Sequence, residues 1–149
     1  MYDKYKSTIV SIAATFLFAA LVTVACFLLP FLVKLYLGEA YTDAAGIRTA
    51  LYICLYFSAA SSLLLSYLLL RILFNIRKAV VFARENVRYV RYISWCCFAI
   101  SAAFFALGFF IPFSFVISFA AAFIGLIVRV VKNLLNEAVD IKEENDHTI

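Results

Sequence analysis

What this chain lacks narrows it first. It holds one histidine, His147, in a polar tail, and its four cysteines (Cys26, Cys54, Cys96 and Cys97) show no CxxC and no His/Cys ligand spacing. A metal centre has no ligand set to build on. GxSxG, HExxH and Walker-type sequences are absent, and the scattered serines have no histidine to activate them. No catalytic, cofactor-binding or metal-binding residue is assigned, no cofactor is expected, and the chain is read as a non-enzyme.

Charge is scarce too. Only 15% of the residues are Asp, Glu, Lys or Arg, against 66% hydrophobic and 17% aromatic, whereas soluble domains are about a quarter charged and about half apolar. Water is not the main solvent of such a chain. The formal charge of +4 sits on segments that flank apolar blocks and not on a free basic face, which sets nucleic acid aside as a direct partner.

Three runs carry no formal charge at all: residues 7–33, residues 49–70 (22 residues) and residues 92–128 (37 residues). About 20 residues cross the hydrocarbon at roughly 1.5 Å each, so the first two runs span once apiece. The third would measure about 55 Å as one helix and has to turn. Turn chemistry occurs there only in GFFIPFS, residues 108–114, where Pro112 breaks a helix and Gly108 can end one. The expected fold is an all-α polytopic membrane protein, a four-transmembrane-helix bundle in a single membrane domain over residues 1–149. Its spans are placed at about 8–33, 49–71, 90–109 and 113–135, with a connector at 72–89 and a tail at 136–149. Pro30 is expected to kink the outer end of the first helix. Ala25-Cys26 loosely imitates a lipoprotein cleavage site, but Thr23 replaces the usual aliphatic residue, so the first run is read as a retained span.

Orientation comes from residues 71–91, RILFNIRKAVVFARENVRYVR, with six basic residues (Arg71, Arg77, Lys78, Arg84, Arg88 and Arg91) and one acid, Glu85. Lys and Arg near membrane spans are held on the cytoplasmic side. Eleven of the thirteen then lie inside, only Lys34 and Arg48 lie outside, and both termini are cytoplasmic. The polar loop of residues 38–48, with Glu39 and Asp43, is external. Without glycine or proline, the connector is expected to be helical for most of its length. Arg77, Arg84, Arg88 and Arg91 would then share a face about 60° wide beside an apolar face of Ile76, Val80, Val87 and Val90, suited to anionic headgroups or a partner. The plainer reading is a topogenic flank without a ligand. The tail is expected to extend the last span as an amphipathic helix, with Leu134, Ala138 and Ile141 on one side and Glu137, Asp140 and Glu144 on another. Its acids could face the basic connector, but the preferred reading is that they simply solvate the helix end, since exposed ion pairs are worth little.

Small side chains repeat inside the spans. Cys54, Ser58, Ser62 and Ser66 recur every fourth residue; Ser58, Ser62 and Ser66 read as a helix-packing seam in preference to a hydroxyl-lined pore. Ala99 with Ala103, Ala102 with Ala106, Ser114 with Ser118 and Ala122, and Ala121 with Gly125 likewise predict close helix contacts. Cys26 and Cys54 fall at similar depth, so a disulfide is open, with plain packing preferred.

Taken together, FLLP at residues 27–30, the connector pattern Phe82, Glu85, Asn86, Val87, Arg91 and Ile93, and the ending AVDIKEENDHTI at residues 138–149 resemble the small bacterial membrane proteins of the domain of unknown function 2975 family. The tail is the most specific piece. His147 stands where the family pattern usually has Leu, and the loop between the third and fourth spans is shorter than in many members. The resemblance implies four membrane helices in a Gram-positive cytoplasmic membrane and, because members are often encoded beside a small helix-turn-helix regulator, a cytosolic regulatory protein as a candidate partner. It supplies no catalytic residue.

The charge-free runs, which hold no Asp, Glu, Lys, Arg or His, argue against a proton-coupled exporter, and the absence of a reactive cysteine pair argues against a thiol oxidoreductase. Two readings remain for this multi-pass protein of the cell membrane. The first is a non-enzymatic interaction or regulatory protein acting through the basic connector and C-terminal helix; the alternative is a subunit of a small-molecule or ion transport or channel assembly, with homo-oligomers around the serine stripe.

Overall fold

The computed structural model describes residues 2–38 and 45–148, with side chains from residue 5 onward. Glu39 and Asp43, assigned to the external loop, lie outside the described residues. The described chain forms four helices: α1 (Tyr2–Leu37), α2 (Ala45–Arg77), α3 (Arg84–Gly108) and α4 (Ser114–His147). All four are long and apolar enough to cross a membrane. Large apolar side chains cover their outer surfaces, among them Phe27 at 82% and Phe119 at 70% exposure; hydrocarbon, not water, is the medium that suits them. The all-α polytopic membrane fold expected from the charge-free runs is the one observed.

Several hydroxyls within the spans are satisfied inside their own helix, which suits lipid. Thr15, Thr23 and Ser66 each donate to the carbonyl four residues earlier, at 2.8, 2.8 and 2.9 Å. Helix α1 runs on through Pro30. Proline has no N–H to offer the carbonyl of Cys26 one turn before it, and the Tyr56 hydroxyl of α2 donates to that carbonyl at 3.5 Å.

The helices pack in chain order, α1 on α2, α2 on α3 and α3 on α4. Two apolar clusters hold the row together. Near the α3–α4 turn, Leu29, Val33 and Leu37 of α1 meet Leu51 and Cys54 of α2 and Leu107 of α3. Towards the connector, Leu68 of α2 meets Ile93 and Cys97 of α3. The four cysteines are free thiols, three of them buried.

The α3–α4 contact is the closest. Ser94 donates to the Gly125 carbonyl at 3.1 Å, and Ser101 and Ser118 each donate to the other's carbonyl at 2.8 Å. A Cβ on Gly125 would lie 3.2 Å from that of Cys97, so glycine sets how near the two backbones come. Ser114, Ser118 and Gly125 are buried as the small-residue spacing predicts, but Ala102 and Ala106 are exposed and do not form the seam expected of them. The turn falls between Gly108 and Ser114. There the rings of Phe105, Phe109 and Phe115 meet edge to face, with centroids 5.3–5.6 Å apart, and a Cβ on Gly108 would come within 2.7 Å of the Phe115 ring.

The connector is helical for most of its length, as expected, but not continuously: α2 continues to Arg77, stops, and α3 starts afresh at Arg84, so Arg77 does not share one helix face with Arg84, Arg88 and Arg91. The stop is a Schellman motif, in which the N–H of Val80 reaches the Asn75 carbonyl (2.9 Å) and that of Ala79 reaches the Ile76 carbonyl (3.0 Å). The left-handed position that glycine usually fills is taken by Ala79, at φ 60°. Helix α4, in turn, runs unbroken from Ser114 to His147.

Candidate functional site

Polar side chains gather where α2, α3, the start of α1 and the end of α4 come together. The centre of this end is Asn86, 1% exposed. Its Nδ2 donates to the carbonyls of Val80 and Val81 at 2.9 Å each, and its Oδ1 accepts from Asn75 Nδ2 at 2.8 Å. One amide thus ties the loop to both flanking helices, and no polar atom of Asn86 is left unmet in a place where an unmet one is costly.

Beside it, Arg84 opens α3 and reaches across to α4. Its Nε and Nη2 hold both oxygens of Glu143 at 3.1 and 2.7 Å, Nη2 also holds Asp140 at 2.5 Å, and Nη1 donates to Asn136 at 3.2 Å. Positions 136, 140 and 143 lie on one helix face, so the guanidinium fork spans about two turns of α4. This overturns the expectation that the tail's acids only solvate the helix end. The hydrogen bond from Arg84 holds the Glu143 carboxyl below the ordinary glutamate range. A second cluster joins α2 to α3: Arg71 donates to the Tyr89 hydroxyl at 3.0 Å and to Glu85 at 3.4 Å, and Tyr89 donates to Glu85. The Tyr89 hydroxyl first, and Arg71 after it, keep the Glu85 carboxyl low.

The four arginines grouped by sequence are divided among different tasks. Arg77 ends α2 and donates to the Tyr5 hydroxyl of α1 at 3.5 Å. Arg84 is occupied by α4. Arg88 and Arg91 follow on the exposed face of α3, within about 60° of Arg84 at 100° per residue. Trp95 stands on the same face, with the Arg129 guanidinium of α4 5.6 Å from its ring centroid. A tryptophan with arginines one and two turns beyond it is the arrangement found where hydrocarbon gives way to headgroups.

Of the serine stripe, Ser58 and Ser66 are buried and Ser62 half-buried. The Ser58 hydroxyl has no hydrogen-bond partner among the described residues. Also among the described residues, no group of three His, Cys, Asp or Glu side chains is placed to hold a metal ion. Asn75, Asn86, Asn136 and Glu143 were not singled out from sequence as one site. Asn86 could be found only as part of the family pattern, and Glu143 only by its seven-residue spacing from Asn136.

Comparison with known proteins agrees with this architecture. The chain is 28% identical over 161 residues to the uncharacterized membrane protein YoaS of Bacillus subtilis (strain 168), with 99% of each chain covered. No solved structure matches. A family model described as "Protein of unknown function (DUF2975)" matches residues 32–149, a stretch that contains the connector, the Arg84 contact and the tail but not the FLLP segment. The chain therefore belongs to the DUF2975 family of membrane proteins.

Proposed function

We propose that this is a non-enzymatic interaction or regulatory protein of the membrane, with both termini in the cytoplasm, which engages a cytosolic regulatory protein through α3's basic start and α4's extension. The observation that carries this reading is the Arg84 contact with Asn136, Asp140 and Glu143. It fixes the end of α4 against the connector, so that a basic and an acidic surface stand side by side at one end of the molecule. The positive charge there supports the inward orientation. The runs of residues 7–33, 49–70 and 92–128, free of Asp, Glu, Lys, Arg and His, support a role outside the bilayer interior. Burial of Ser58 and Ser66 within the single chain supports placing this role ahead of a transport assembly lined by those hydroxyls.

The test is recovery of partners from native membranes. Reversal of Arg84, Arg88 and Arg91 to Glu is expected to abolish recovery of a cytosolic protein while the variant still inserts. Unchanged recovery counts against the reading.

A further inference from the structure

A groove runs along the lipid-facing side of α2 and α3. Its cavity of about 520 Å³ is lined by Leu64 and Leu68 of α2 and by Tyr92, Trp95 and Ala99 of α3. Seven residues of helix separate its two ends, about 10 Å. Arg88 stands one turn before Tyr92 on the same strip of α3 that carries Trp95 and Ala99, and Arg91 lies on the adjoining strip. On the other wall, Arg71 follows Leu68 by one turn. Glu85 lies at this end too, but Tyr89 and Arg71 already hold it. Arg88 and Arg91 are exposed, and among the described residues no hydrogen bond or ion pair occupies either.

We propose that this groove binds one anionic glycerophospholipid, with its phosphate on Arg88 and Arg91 and an acyl chain along Leu68, Leu64, Trp95 and Ala99. Guanidinium groups recognise phosphate oxygens through paired hydrogen bonds. An anionic headgroup is preferred to a zwitterionic one because a choline or ethanolamine ammonium would face the charges of Arg91 and of Arg88, the latter only partly offset by the field of Glu85. The site does not depend on a protein partner, and it stands if the role proposed above fails.

Trp95 is the chain's only tryptophan, and it lines the groove, so its fluorescence reports occupancy directly. The experiment places the full-length protein in phosphatidylcholine bilayers containing about a tenth of dibrominated phosphatidylglycerol or, separately, of dibrominated phosphatidylcholine. The brominated phosphatidylglycerol is expected to quench Trp95 more strongly, with a preference that falls about five-fold for each of Arg88→Ala and Arg91→Ala. Arg88→Lys keeps the charge but loses the paired hydrogen bonds, and its preference should fall between those of the unmodified protein and Arg88→Ala. Ala99→Phe, which fills the groove and leaves the arginines in place, should reduce quenching by both lipids. Equal quenching by the two lipids in the unmodified protein overturns the site, as does a preference that survives loss of both arginines. The assay contains no partner protein, so its outcome is separate from that of the recovery experiment.

Discussion

Asn86 uses both ends of its amide to hold Val80, Val81 and Asn75, and its replacement leaves polar groups without partners. Asn86→Ala is expected to cost about 2 kcal/mol, and Asn86→Asp at least as much, because an ionised carboxylate would face two carbonyls. Thermal unfolding in detergent gives the measurement; an unchanged Tm for both variants would remove Asn86 from its central place. Ala79, at φ 60°, holds a conformation that costs a non-glycine residue about 1–2 kcal/mol, so Ala79→Gly is expected to raise the Tm. Two serines should separate in the same assay. Ser58→Ala removes a buried hydroxyl without a partner and should be neutral or stabilising, whereas Ser101→Ala breaks the reciprocal bond with Ser118 and should cost about 0.6 kcal/mol. The sequence does not disclose the end of α2, because a Schellman stop is ordinarily announced by glycine and here the left-handed residue is alanine.

At the scale of the helices, the most informative contact is the one between α3 and α4. Its polar seam repeats every seven residues, Ser94 and Ser101 on one helix against Ser118 and Gly125 on the other. A search for four-residue spacing finds the α4 members Ser118 and Gly125 but passes over Ser94 and Ser101. The same pair of helices carries the Arg84 contact, which is sensitive to acid. Glu143 has its pKa lowered in the folded state by the bond from Arg84, so its contribution is complete above the ordinary glutamate value of about 4.3. It is lost as pH falls through the lowered one. Stability of the α4 extension, followed by limited proteolysis, is therefore expected to be level above about pH 5 and to fall in stronger acid. In Arg84→Gln that acid-sensitive part should be smaller. An identical pH profile for the two proteins would show that the ion pair contributes nothing.

For the molecule as a whole, the number of spans was legible because three charge-free runs and one Gly/Pro turn leave a single way to fit the hydrocarbon. The order of packing was not. Every span offers an apolar surface to lipid and neighbour alike, so composition does not say that α1 packs chiefly on α2, with Leu107, Ala103 and Phe104 of α3 joining their shared cluster. Orientation has its own test: a reporter fused after Ile149 is expected to be active only inside the cell, and activity outside would reverse the assignment of the arginine-bearing end. Because α4 continues without a break from Ser114 to His147, the portion beyond Arg129 and the portion holding Ser118 and Gly125 form one stiff shaft. A torque applied to its free end would turn the buried seam through the same angle, and Arg84 is the brake that resists it.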